Sequence, residues 1–151
     1  MVSRPIRIRR ARRTDFVAVM SLLAEAGLPV PPPERPALHR FRNLVADLGT
    51  DLYLATIDER VVGVVHVTYA RQLAAAPQAT LAALLVVQPA RRCGVGTTLL
   101  RFAAERAQQR SCTSLQCPLP AATDAGAKQF LLQAGAAAAG ELLALPLANA
   151  A

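Results

Sequence analysis

The segment from Thr80 to Leu100 constrains the fold more than any other. Thr80 to Val87 (TLAALLVV) is almost wholly apolar, which predicts a strand buried on both faces. Gln88-Pro89 ends it, since proline has no N–H to give a sheet ladder. The chain then runs through Arg91-Arg92-Cys93-Gly94-Val95-Gly96 straight into a helical period carried by Val95, Leu99, Phe102, Ala103 and Ala107. A buried strand, a short glycine-bearing loop and a helix in direct succession belong to layered α/β folds. The first N–H groups of such a helix are unpaired and lie at the positive end of its dipole. Gly94 and Gly96 have no Cβ, so a bulky anion can reach that backbone. Arg91 and Arg92 add positive charge, and the segment reads as a pyrophosphate cradle. The alternative is a tight strand-to-helix turn with no ligand, for which two adjacent arginines are an odd decoration.

Two phosphate motifs do not fit. A P-loop needs Gly-Lys-Ser/Thr, and this loop has no lysine. A dinucleotide fingerprint needs a third glycine where Leu99 stands, with an acidic residue about 20 positions further on.

The rest of the chain alternates short elements. Ile6 to Arg10 predicts a strand whose Arg7 and Arg9 face water. Thr14 looks like the N-cap of a helix carrying Phe16, Val19, Met20 and Leu23, with Gly27 as its stop. Pro29 to Pro36 reads as a stiff loop. A second helix is expected over Pro36–Leu48, with Leu38, Phe41, Val45 and Leu48 on one face and Gly49 at its end. Strands Leu52–Ile57 and Val61–Tyr69 follow, joined by a turn at Asp58-Glu59-Arg60. After the central strand and helix, in which Arg101 and Glu105 are spaced to pair, a strand is expected at Leu115–Leu119. A last helix starts near Thr123 or Asp124, carries Ala127, Phe130, Leu131 and Ala134, and stops at Gly135. Glu141–Leu147 predicts a final strand. The order is β-α-α-β-β-β-α-β-α-β, a mixed α/β sheet in one domain spanning 1–151.

Composition narrows the function classes. With 151 residues, 53% of them hydrophobic, the chain is sized for one sizeable core and is not globally disordered. The longest charge-free stretch, Gln72–Ala90, is broken by Pro77 and Pro89 and does not read as a membrane span. The N-terminus has no apolar run of signal-peptide length. Cys93, Cys112 and Cys117 are odd in number and form no CxxC pair, which predicts reduced thiols and a cytoplasmic location. The net charge of +7 comes almost entirely from arginine, Lys128 being the one lysine. Arg4, Arg7, Arg9, Arg10, Arg12 and Arg13 crowd the start of the chain, but no aromatic is interleaved to stack bases. A solvated strand edge is therefore preferred over a nucleic-acid patch.

Arg91-Arg92-Cys93-Gly94-Val95-Gly96 matches the pattern Arg/Gln-x-x-Gly-x-Gly/Ala. Val87-Gln88-Pro89 precedes it and Leu99-Leu100 follows. With the Arg-rich first strand, Thr14-Asp15-Phe16, the two-helix excursion, Val61-Val62-Gly63 and a last helix ending at Gly135, the chain resembles the GNAT superfamily of N-acetyltransferases over nearly its whole length. The resemblance implies a GNAT-like acyl-CoA N-acyltransferase fold, acetyl-CoA as cosubstrate, no metal, and transfer of acetyl to a primary amine by direct attack. It implies that the pantetheine arm pairs with Leu85, Val86 and Val87, and that the pyrophosphate lies on the loop N–H groups of Arg92, Cys93, Gly94, Val95, Gly96 and Thr97, with Arg91 beside them in the cofactor site. Thr97, Thr98 and Asp124 would complete the cofactor contacts. The acceptor, a small-molecule or peptide amine, would lie against Gly27–Thr50, where Glu34, Asp47 and Asp51 offer an anionic rim or plain surface charge. Relatives are often dimers, and an exposed terminal strand would allow a homodimer here.

Direct attack needs a base within hydrogen-bond reach, directly or through a water. Many relatives place a Glu on the fourth strand, and TLAALLVV has none. His66, Asp51 and Tyr69 remain as candidates; a lone histidine in an apolar strand is also a common structural residue. The family's last helix reads Asn-x-x-Ala-x-x-Phe-Tyr. Here it reads Asp124-x-x-Ala127-x-x-Phe130-Leu131, so Leu131 stands where the Tyr that protonates the leaving thiolate is usually found. Tyr69, Ser114, Thr123 and Cys117 are possible substitutes, and Asp124 is also a natural helix cap. Cys93, flanked by arginine at a helix start, reads as a loop residue or as a reactive thiol. An acetyl-CoA-binding protein with little or no catalysis is the alternative function.

Overall fold

A computed structural model of the chain describes residues 4–120 and 125–148. These fall into two compact units that divide between Cys117 and Pro118. The first unit contains β1 (Arg7–Arg10), α1 (Phe16–Glu25), α2 (Arg35–Ala46), β2 (Asp51–Ile57), β3 (Arg60–Ala70), β4 (Gln78–Val86), α3 (Val95–Gln109) and β5 (Leu115–Gln116). The second contains α4 (Ala125–Gln133).

The five strands form one mixed sheet in the order β1-β2-β3-β4-β5, antiparallel except for the parallel β4–β5 pair. Asp58 and Glu59 both adopt positive φ (50° and 66°) between β2 and β3, the turn whose twist suits a two-residue hairpin. Each face of the sheet carries its own core. On one face Val65, Val67, Ala79 and Leu81 pack with Val95, Leu99, Ala103 and Ala107 of α3. On the other, Leu52, Leu54 and Val64 pack with Phe16, Val19 and Leu22 of α1 and with Ala37 and Phe41 of α2.

Several local expectations are corrected. Thr14 does not cap α1; a 3-10 turn over Arg13–Asp15 precedes the helix. The Asp15 carboxylate instead accepts the Arg12 N–H and both terminal nitrogens of Arg9. Arg9 is thus an ion-pair residue rather than part of a wet face. α2 ends at Ala46 rather than Leu48; its buried positions are Ala37 and Phe41, while Leu38 and, beyond the helix, Leu48 face solvent. Only Ala79 and Leu81 of β4 are buried; Ala82 is exposed and the other residues are half-buried, so the strand is not sealed on both faces. No Arg101–Glu105 ion pair forms among the described residues. β5 is two residues long, and Glu141–Leu147 is not a strand: Leu142, Leu143, Leu145 and Leu147 are exposed. Leucine content alone suggested that strand. Its Leu-Leu-Ala-Leu-Pro-Leu run has no strict alternation, and Pro146 removes a ladder donor.

Candidate functional site

The strand-to-helix junction is built from backbone. Val87 leads into a 3-10 turn over Gln88–Ala90, and the chain then bends through Arg92 (φ 67°) and Gly94 (φ 83°) into α3. Gly94 is the N-cap in the left-handed region, where a side chain is strained. Nothing lies within 4 Å of the point a Gly94 Cβ would occupy, so the surrounding space is open. Among the described residues the N–H groups of Arg92, Gly94, Val95, Gly96 and Thr97 find no acceptor. The Thr98 N–H and hydroxyl both donate to the Gly94 carbonyl, at 2.9 and 2.7 Å. Thr98 therefore closes the helix start, leaving Thr97 as the exposed hydroxyl. Cys93 is exposed and free.

Gly63 sets how closely α3 approaches the sheet. A Cβ there would lie 2.9 Å from Leu99 Cδ1, 3.1 Å from Val95 Cγ1 and 3.1 Å from the Leu85 carbonyl. Only glycine lets the first turn of α3 sit flat on β3 at this point.

β4 departs from regular pairing in two ways. Its register with β3 steps from His66↔Ala83 to Val67↔Leu81, which leaves Ala82 as the extra residue of a bulge that bends the strand. On its other side β4 pairs with β5 only at Ala79 and Thr80. From Leu81 onward that edge has no strand partner among the described residues. The Val87 N–H donates to Val62 of β3, so Leu85 and Val87 turn their backbone groups toward β3. By period two, Val86 and Leu84 present theirs to the open edge. Of the three residues expected to pair with an arm, only Val86 faces the right way. Its carbonyl accepts from Arg91 Nε at 3.1 Å.

The two candidate catalytic side chains are separated. Val64 belongs to the α1/α2 core and Val65, Val67 and Tyr69 to the α3 core, so alternation sets His66 and Tyr69 on opposite faces. His66 stands opposite Ala83 beside the bulge. Its Nε2 is buried without a hydrogen-bond partner, and burial holds its pKa below the ordinary histidine value. Tyr69 lies toward the other end of the sheet and donates to Asp51 Oδ2 at 2.5 Å. Burial, then the Asp51 carboxylate, push its phenol well above the usual tyrosine range, which does not suit a proton acceptor near neutral pH.

Asp51 is not a substrate rim either. It is 1% exposed and accepts from Arg106 Nη2 and Arg110 Nη2, both at 2.9 Å. Burial pushes its carboxyl up, but hydrogen bonds from Arg106, Tyr69 and Arg110 outweigh this and hold it below the ordinary value. Arg110 also stacks over the Tyr69 ring at 4.5 Å. Asp47 accepts from its own turn at the Gly49 N–H.

One contact had no signal in the sequence. Glu25, at the end of α1, accepts the Gln88 N–H at 2.7 Å and ties that helix to the start of the loop. The two residues are 63 positions apart, and nothing local announces the pairing. Thr123 and Asp124 lie outside the described residues. Leu131 is the buried residue of α4, which closes at Gly135 (φ 104°). Among the described residues no group of three or more His, Cys, Asp or Glu is placed to hold a metal ion, and no helix is long and apolar enough to cross a membrane.

The sequence matches the model of the acetyltransferase (GNAT) family over residues 16–135. No curated protein matches it significantly. Among solved structures it is similar to a transcriptional regulator from Bacillus halodurans C-125, with 25% identity, a TM-score of 0.84, and 95% of this chain and 100% of the other covered. It is also similar to a ribosomal-protein-alanine N-acetyltransferase from Brucella melitensis biovar Abortus 2308, with 20% identity, TM-score 0.75 and coverage of 95% and 99%. A third is AAC(6')-Iy in complex with the bisubstrate analogue CoA-S-monomethyl-acetylneamine, with 14% identity, TM-score 0.78 and coverage of 95% and 98%.

Proposed function

Because the chain belongs to the GNAT acetyltransferase family, we propose that it transfers the acetyl group of acetyl-CoA to a primary amine of a small molecule or peptide. The observation that carries this reading is the set of five unpaired N–H groups between Arg92 and Thr97, at the end of a bulged strand with an open edge. Bound acetyl-CoA supplies an activated acetyl group, which passes to the amine as the C–N bond forms and the C–S bond breaks. The α3 amides and the helix dipole hold the diphosphate. Leu84 and Val86 offer backbone groups to the amide-bearing arm, and Arg91 leaves the Val86 carbonyl to make way for it.

Ala83 and Ala82 lie four and five residues back from Val87, roughly 16 Å at the usual strand rise. His66 stands on β3, paired with Ala83 beside the bulge, on the side of β4 away from the open edge. Burial keeps its imidazole neutral near physiological pH, so it is free to take the proton released by the attacking amine, directly or through a water. Leu131 brings no proton to the departing thiolate, which leaves as the anion. The three free thiols agree with a cytoplasmic setting.

A binding-only protein is the second reading; Leu131 and the lack of a Glu on β4 favour it. Acetyl-CoA at about 100 times its Kd is expected to raise stability by roughly 2.7 kcal/mol. The Gly94→Glu variant is expected to lose binding by calorimetry, because it places bulk and negative charge where phosphate should sit. Unchanged affinity would remove both readings. Thiol release across polyamines, aminoglycosides, amino acids and peptide N-termini separates them. Leu131→Tyr is expected to raise turnover, and silence on every amine in both forms would leave binding alone.

A further inference from the structure

We propose that the groove beside β1 and the β2–β3 turn binds the phosphate group of a small molecule, at a site separate from the α3 amides. The groove measures about 650 Å³. Arg7 and Thr56 are direct cross-strand partners, so their side chains rise from one face with Cβ atoms about 5 Å apart. Thr56 is 7% exposed and lines the groove. Among the described residues its hydroxyl has no hydrogen-bond partner. The hydroxyl is not sealed from solvent; it opens onto the groove, where a valine of the same volume would offer no hydrogen bond.

The charges beside it divide into engaged and free. Arg9, next on the same face, is held by Asp15 through two bonds of 2.8 Å. Arg7 and Arg12 also line the groove and form no ion pair among the described residues. Donors thus come from three places: β1, the turn after it, and β2. A flat carboxylate is met by a single guanidinium fork, as Asp15 is by Arg9. A tetrahedral oxyanion accepts from several directions at once and suits donors that converge from separate points. Asp58 and Glu59 of the hairpin turn also line the groove, Asp58 already paired with Arg4 at 3.0 Å. A long polyanion following the Arg-rich strand would have to pass both carboxylates. A compact phosphate between Arg7, Arg12 and Thr56 does not.

The test is methyl NMR on the full chain labelled at threonine and isoleucine, with inorganic phosphate as the probe. The Thr56 methyl is expected to shift saturably. Arg7→Gln is expected to weaken that response at least tenfold, and Thr56→Val to weaken the response of the Ile8 methyl similarly, each with an otherwise unchanged spectrum and unchanged acetyl-CoA affinity. The Thr56 shift is expected to persist in Gly94→Glu, which separates this groove from the loop. Acetate is expected to bind more weakly than phosphate. A shift that never saturates, or that is equal in Arg7→Gln, overturns the site. So does a DNA duplex that displaces phosphate with a steep salt dependence, since the groove would then be part of a polyanion surface.

Discussion

The two ends of α3 are in opposite chemical states. At its C-terminal end, Arg106 and Arg110 converge on the buried Asp51, and Tyr69 completes the set. At its N-terminal end, five amides have no acceptor among the described residues, and Arg92 is exposed. The distance between them along the helix is about 16 Å, at the usual rise of 1.5 Å per residue. Both regions are rich in hydrogen-bonding groups, so polarity alone does not distinguish a site from a strut. Satisfaction does. At the C-terminal end each charged side chain has a partner, although Arg110 Nε stays buried without one; at the N-terminal end the donors are backbone and have none among the described residues. One end is anchored so that the other can be held still.

The largest expected effect is at the anchored end. Asp51→Ala leaves two partly buried guanidinium groups without their shared carboxylate and should cost about 3 kcal/mol, the lower end for a broken buried pair because both arginines keep some access to water. Urea unfolding measures this directly. Folded Asp51→Ala protein should still bind acetyl-CoA within a few-fold of the parent. If affinity falls while stability holds, the division between strut and site is wrong.

A smaller effect is expected where the two regions meet. Gly63→Ala places a methyl 2.9 Å from Leu99 Cδ1 and 3.1 Å from a backbone oxygen that cannot give way, so overpacking should cost about 1–3 kcal/mol. Unlike Asp51→Ala, it should also lift the first turn of α3 and weaken acetyl-CoA binding in calorimetry. Equal losses in both variants would mean that α3 does not transmit position from one end to the other.

The sequence made some of this legible and hid the rest for identifiable reasons. The strand-loop-helix at Val87–Gly96 is local, so its glycines and its change of period mark it directly. The hairpin at Asp58-Glu59 is local too. The Asp51 cluster joins residues 55 and 59 positions apart, and an ion pair across such a gap leaves no periodic trace. From the sequence Asp51 therefore reads as a candidate base, an anionic rim or plain surface charge. The bulge at Ala82 is invisible in a run of alanine and leucine, although it bends the edge on which the cofactor reading depends. The opposition of His66 and Tyr69 was within reach: three positions along a strand is an odd step, and odd steps change face. The terminal segment reads as a strand on leucine content, but alternation is the better guide, and Glu141–Leu147 lacks it.

The smallest expected effect is in the acid limb of stability, where His66 and the buried carboxylates titrate in turn. His66 sits in the fold with its pKa below 6.5 because it is buried. As pH falls below about 6.5, the unfolded chain takes up that proton before the folded one does, so stability declines from there down to the folded value. Asp51 and Asp15 are held below their ordinary value of 3.8 in the fold. Their contribution is fully present above that pH and is lost as pH falls through it toward the folded values. Two successive losses are therefore expected in a series of urea midpoints. His66→Gln should remove the upper one and Asp51→Asn should reduce the lower one. If Asp51→Asn flattened the upper step instead, His66 would not be the group that titrates there, and the neutral imidazole required of a base beside β4 would lose its support.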